Sequence, residues 1–344
     1  VSPSSRESTS LSLLAPLQIT NFRNLWVGHS VSLIGDQFKF VALSWLVLSL
    51  TGRSGALGTV LMLQAIPRSI FMLGGGVVTD RFHPRRIMIF SDVFRALVAG
   101  TIAGLAWTQR ITMPHLYALA LIFGTVQAFF FPAQSSMIPE LVPPGSLRQA
   151  NAINQLTNQV VIVAAPALAG FLIAAVGVAA GFAVDATSFL ASAAFLLLIR
   201  PPARHVDWKA RPWTQFIEGL RYVRGDPVLL ATVIVGSLLF FGYSGATFVG
   251  LPVLAKGPLA AGPAGLGVLF SASGAGALVG GLVGGVRSVR RRGLTGNALI
   301  VAMGIVLGMV SLAPTLGTTA LVLFISGALM SWLGITFMTL LQLR

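Results

Sequence analysis

The chain contains no cysteine, and only nine of its 344 residues are acidic. Without thiols there is no disulfide framework, no thiolate metal site and no cysteine nucleophile, and cysteine usage leaves the redox compartment open. The four histidines, His29, His83, His115 and His205, lack metal-ligand spacing, and no Gly-x-Ser-x-Gly elbow or phosphate loop occurs. Gly274-Ala-Gly276-Ala-Leu-Val-Gly280 has the outline of a dinucleotide loop, but it lies inside an apolar run with no strand before it and no acid after it. The sequence therefore predicts no enzyme, no cofactor and no metal site. No cleavable signal peptide is expected either, because the stretch from Val1 to Asn21 is polar and Ser-rich and leads into a run too long for a signal core.

What is present is apolar. Hydrophobic residues make up 55% and charged residues 9% of the chain, with a mean hydropathy of +0.85, against roughly 25% charged in soluble domains. The solvent for this chain is lipid. Ten candidate spans of about 20 residues follow: Leu25 to Leu50, Leu57 to Thr79, Ile87 to Trp107, His115 to Ile138, Ala152 to Val176, Val178 to Ile199, Pro227 to Leu254, Leu266 to Val286, Leu294 to Leu312 and Thr319 to Leu341.

The 23 Lys and Arg residues, net charge +14, are placed asymmetrically. With the N-terminus inside, 17 of them fall in cytoplasmic segments and three outside, at Arg53, Arg110 and Lys256, while Lys39, Arg68 and Arg95 lie within spans. Excess positive charge on one side orients membrane proteins, so the basic balance needs no nucleic-acid partner. The expected locale is a bacterial plasma (inner) membrane, with the N-terminus cytoplasmic. Between spans six and seven, Trp213, Phe216, Ile217, Leu220 and Val223 recur at helical spacing within the longest polar segment, Arg200 to Asp226. This predicts an amphipathic helix lying on the membrane face. The implied organisation is a six-helix bundle over residues 1–199, a linker over 200–226 and an incomplete four-helix bundle over 227–344.

Charged and amide groups inside spans are costly in lipid and mark cavities or partners. His29, Ser32, Asp36 and Lys39 follow at intervals of three or four, one face of span one. Asp36, with Ser32 and neighbouring Gln37, is the leading candidate for proton exchange or for binding a cationic group of the substrate; an internal Asp36–Lys39 pair that neutralises both is the competing reading. On span five Asn151, Asn154, Gln155 and Asn158 make an amide face, with Gln127 on span four as a companion. Asn154 and Asn158 are read as solute contacts, although inter-helix hydrogen bonding competes for at least half of the face. Asp92 and Arg95 read as a structural ion pair, Asp185 as a lesser cavity candidate nearer the outside, and Arg68, beside Pro67, as structurally paired rather than contacting an anionic substrate. Gly276, Gly280 and Gly284 place small residues every fourth position, a surface on which helices approach closely.

One charged cluster interrupts the apolar pattern, Gly76-Val-Val-Thr-Asp80-Arg81-Phe-His-Pro84-Arg85-Arg86. It resembles the Gly-x-x-x-Asp-Arg-x-Gly-Arg-Arg loop between spans two and three of the major facilitator superfamily, with His83 at the second glycine and Pro84 before the arginine pair. Leu33-Ile-Gly35-Asp36-Gln37, Phe131-Pro132-Ala133-Gln134, Ile138-Pro139-Glu140-Leu141-Val142-Pro143 and Ala150-Asn151-Ala152 are similar to the enterobactin-exporter and macrolide-efflux branch. Ala165-Pro166-Ala167-Leu168-Ala169-Gly170 resembles an antiporter motif, carried here by Pro166 and Gly170. The resemblance implies an all-α polytopic fold of two helical bundles. It also implies alternating-access export of small molecules of the drug or siderophore type, coupled to protons, by a monomer in contact with membrane lipids.

The same resemblance implies twelve spans, so the last two are expected to be missing. It assigns Gly76, Asp80, Arg81, Arg85 and Arg86 to a conformational-gating loop whose acid meets the start of helix eleven. The second hairpin, Gly281-Leu-Val-Gly-Gly285-Val-Arg287-Ser-Val-Arg290-Arg291-Arg292, repeats the glycine and arginines but has Gly285 in place of the acid. A transport-incompetent chain that acts as a partner or sensor is the alternative function.

Overall fold

The computed structural model describes residues 13–200, 217, 221–286 and 292–342, and side chains within these limits except at 73–81, 228, 292–294 and 340–342. Gly76, Asp80 and Arg81 of the gating loop are described in backbone alone, and Trp213, Phe216 and Leu220 of the linker stripe fall outside what is described.

Among the described residues the chain is helical throughout, with no strand. The first half comprises α1 (Thr20–Thr51), α2 (Ser54–Arg81), α3 (Pro84–Trp107), α4 (Met113–Leu141), α5 (Leu147–Val176) and α6 (Val178–Leu197). The second begins with α7 (Pro227–Gly245), which runs through a π-helical turn, Ala246–Gly250, into the short α8 (Leu251–Lys256). It continues with α9 (Gly262–Val286), α10 (Arg292–Val310) and α11 (Leu316–Gln342). Nine described spans are long and apolar enough to cross a membrane, with α7 to α8 counting as one, and Thr295–Val310 is a shorter apolar helix. The ten spans read from hydropathy are thus all helices.

Turn chemistry sets the breaks. Gly52, at φ +64°, ends α1 in the left-handed region and donates its N–H to the Leu48 carbonyl, a conformation that favours glycine. The loop from α2 to α3, which has His83 where the resembled motif has its second glycine, turns by a different device. His83 stands at the N-cap of α3, where its ring accepts a hydrogen bond from the Arg85 N–H (3.3 Å), and Pro84 occupies the first helical position.

Helices gain no hydrophobic energy from association in lipid, so close van der Waals packing holds them. α1 packs along α6 and α5, α2 along α4, and α3 between α6 and α4. The two most intimate seams of the second half involve α9. Against α11, a Cβ at Gly276 would strike the Phe324 carbonyl and one at Gly280 the Ala328 carbonyl, so the small-residue stripe read from sequence is an actual contact surface. Against α5, a Cβ at Gly267 would strike the Pro166 carbonyl and one at Gly170 the Pro263 carbonyl. α5 and α9 thereby join the two halves. The most apolar window of Leu229–Lys256 is only 6% buried in protein, against 61% for α1, so its surface faces outward from the bundle.

Candidate transport cavity

The polar stripe of α1 does line something. His29, Ser32, Leu33 and Asp36 form one wall of a cavity of about 320 Å³, closed by Arg68 and Met72 of α2, Arg95 of α3, and Gln127, Phe130, Phe131 and Gln134 of α4. The α4 wall has the helical spacing i, i+3, i+4 and i+7, which brings four side chains to one face. That spacing is present in the sequence, but two of its four members are phenylalanines, which carry no polar signal in an apolar span; Gln127 is the candidate read there, and Gln134, an amide two turns on, is the one that reading misses.

Asp36 is both paired and open to the cavity. Lys39 Nζ lies 2.5 Å from Asp36 Oδ1 and 3.6 Å from the centroid of the Phe123 ring. The Lys39 side chain is 10% exposed and that of Asp36 24%, so the lysine is turned into protein while the carboxylate opens on the cavity. An ion pair of this kind neutralises the carboxylate in a medium where an isolated charge is costly.

Arg95 pairs with Asp92 as the spacing predicts, but it is also part of the cavity wall. Its guanidinium lies over the rings of both Phe130 (4.3 Å) and Phe189 (4.2 Å), two cation–π contacts that help to hold the fork in place. His29 stacks on Phe130 with centroids 6.4 Å apart, and its buried Nδ1 has no hydrogen-bond partner among the described residues.

The other intramembrane polar residues divide between the cavity wall and other places. Arg68 has no ion-pair partner among the described residues; it is exposed and faces the cavity. Gln37, Asn154 and Asn158 are half-buried and do not line the cavity. Asp185 is fully buried and lies outside the wall, and neither carboxylate oxygen has a hydrogen-bond partner among the described residues. It packs beside Gly35, where an added Cβ would come within 3.1 Å of the Asp185 Cα. Helix α6 approaches α1 this closely only because position 35 is glycine.

The motif residues fall at seams. Pro166 has no N–H to donate within α5, and the next N–H, of Ala167, is taken by Ser271 Oγ of α9 at 3.0 Å. Pro166 and Gly170 thus build the junction between halves. Arg85 donates from Nε to the Leu196 carbonyl (2.8 Å) and from a terminal nitrogen to the Leu197 carbonyl (2.7 Å), capping α6 with positive charge. Arg86 is exposed. At the opposite end of the bundle Lys256 Nζ donates to the Leu48 carbonyl (2.5 Å), which ties α8 to the last turn of α1.

Comparison with known proteins places this architecture. The family model described as transmembrane secretion effector matches residues 11–343. Macrolide efflux protein A of Streptococcus pyogenes is 25% identical over 300 residues, covering 86% of this chain and 74% of that protein. The multidrug efflux pump Tap of Mycolicibacterium fortuitum is 28% identical over 231 residues, 64% of this chain and 55% of that protein. Among solved structures, a bacterial homologue of the human lysosomal transporter Spinster, inward-facing and occupied, superposes with a TM-score of 0.71 at 15% identity, covering 93% of this chain and 74% of that one. A bacterial homologue of the iron transporter ferroportin, inward-facing, gives 0.67 at 16% identity, with 95% and 84% covered. With a family model matched across nearly its whole length and an all-helical, multi-pass fold shared with major facilitator transporters, the chain belongs to the transmembrane secretion effector family of that superfamily and is a membrane transporter protein, not an enzyme.

Proposed function

We propose that this chain works as a secondary exporter of small amphipathic molecules, moving them by alternating access and coupling export to protons. The observation that carries this reading is the cavity itself, a cluster of charged and amide side chains enclosed in an apolar helical bundle. Such groups are retained inside a membrane when they meet solute, water or one another. The efflux names of the two curated relatives support export. Residues 1–199 act as one bundle and 227–344 as part of the other, with the α5–α9 seam as the surface on which they rock. The linker is 200–226. The charge asymmetry supports a cytoplasmic N-terminus in a bacterial inner membrane, and the working unit is a monomer in contact with lipid.

Asp36 is the proton-exchanging group in this scheme, because among the described residues it is the one carboxylate lining the cavity. Protonation would release Lys39 and change the charge of the wall as access alternates. The test is uptake into inverted vesicles under an imposed pH gradient, with a panel that includes a macrolide, an anionic dye and a cationic dye. Gradient-dependent uptake above empty vesicles, lost in Asp36→Asn, is expected. No gradient-dependent uptake of any member would sink the exporter reading, and intact gradient dependence in Asp36→Asn would remove the proton role alone.

A further inference from the structure

The charge balance of the cavity wall points to the kind of molecule it takes. Asp36 is matched by Lys39, and Arg95 by Asp92. Arg68 is left over, as the one cavity-lining cation without a counter-charge among the described residues. It stands near the middle of α2, where that helix packs closely on α4. The Gln64 carbonyl lies against Gly124 so closely that no Cβ fits there, which fixes α2 to α4 and sets Arg68, one turn further on, level with Gln127. An unpaired guanidinium at that depth is costly in hydrocarbon and is stabilised by any anion that enters.

From this arrangement we infer that Arg68 is the specificity-determining residue of the cavity and that it selects small anionic amphiphiles, molecules with one carboxylate, sulfonate or phosphate group and an apolar body. The guanidinium receives the anionic group through paired N–H donors. Phe130, Phe131, Met72 and Leu33 supply the apolar wall, and Gln127 and Gln134 offer amide donors beside it. Asp36 presents a carboxylate already neutralised by Lys39, so it accepts a hydroxyl or amide donor without opposing the anion. This inference rests on the exporter reading for its biological meaning, but it is a statement about binding and can be tested without turnover.

The protein in phosphatidylcholine nanodiscs, with empty discs subtracted, is titrated with two probes that share a fluorophore: dansylglycine, a carboxylate, and dansylcholamine, a quaternary ammonium. Saturable binding of dansylglycine, at least about tenfold tighter than dansylcholamine, is expected. Arg68→Gln should weaken dansylglycine about tenfold or more without weakening dansylcholamine, while Arg68→Lys retains the anion preference in part and Arg110→Gln, outside the cavity, changes neither. Repeating the titration in discs containing phosphatidylglycerol separates two sources of the same chemistry: competition identifies a lipid headgroup as the natural anion, and its absence a small solute. Lack of saturable dansylglycine binding, equal or tighter dansylcholamine binding, or unchanged anion affinity in Arg68→Gln would overturn the assignment. Anion binding without vesicle transport would leave the assignment standing and sink only the exporter reading.

Discussion

Removing Asp36 should destabilise the protein, and removing Lys39 with it should restore most of the loss. Lys39 is the more enclosed partner, 10% exposed at its side chain, so in Asp36→Asn its ammonium is left inside the bundle with an amide oxygen, the Phe123 face, the more distant Phe189 ring (5.9 Å) and the electrostatic influence of the buried Asp185 carboxylate. Breaking a buried pair from one side costs about 3–5 kcal/mol. The Phe123 ring offsets about 1–2 kcal/mol of that, so a net loss of about 2–3 kcal/mol follows for Asp36→Asn. Lys39→Met leaves a carboxylate that opens on the cavity, 24% exposed, where water reaches it, and should cost less, about 1–2 kcal/mol. The double variant carries neither charge and should lie within about 1 kcal/mol of the parent, giving a coupling of at least about 2 kcal/mol. Equilibrium unfolding by sodium dodecyl sulfate in mixed micelles, read by tryptophan fluorescence for all four proteins, measures this. A coupling below about 0.5 kcal/mol, the usual range for independent sites, would refute the view that the two charges depend on each other. The double variant should also be stable and transport-inactive, which separates the structural role of the pair from the work of the carboxylate.

Two further outcomes are expected. Arg85→Ala removes two charge-assisted hydrogen bonds to the Leu196 and Leu197 carbonyls and should cost about 1.5–3 kcal/mol in the same titration; Arg85→Lys should recover no more than about half, because an ammonium cannot reproduce the fork, and full recovery would show that charge alone matters. Gly267→Ala drives a Cβ into the Pro166 carbonyl, backbone that cannot swing aside, and should cost about 1–3 kcal/mol; Gly285→Ala, which meets nothing within 4 Å, is the matched control and should be neutral or slightly stabilising.

How much of the site is legible in the sequence depends on the kind of signal each residue carries. The α1 stripe is visible because a helix places positions three and four apart on one face, and a polar face in an apolar span must meet something other than lipid. The Asp36–Lys39 and Asp92–Arg95 pairs are visible for the same reason, being local in sequence. The contacts of Arg85 are not, because its partners are carbonyls 111 and 112 residues away, and backbone acceptors leave no trace in side-chain identity. Arg68 reads as paired because an intramembrane arginine ordinarily finds an acid, and the structure leaves it facing the cavity instead. Asn154 and Asn158 have the same helical spacing as the α1 stripe, yet they stand outside the cavity wall.

Composition and period alone determined that the chain is a membrane-spanning bundle, the order and approximate place of its spans, and which face of α1 is polar, because hydrocarbon enforces apolar length and backbone satisfaction within each helix. They also named the stripe of Gly276 and Gly280 as a close-packing surface. Only the tertiary structure decided which helix each face meets. It joined α5 to α9 through Pro166 and Gly267, seated Asp185 behind Gly35 and out of the cavity, and left Arg68 facing the cavity without a counter-charge among the described residues. Lipid sorts residues into spans but exerts little preference among apolar neighbours, so the choice of partner falls to backbone-to-backbone fit and to a few buried charges. Neither of those can be read along a single helix.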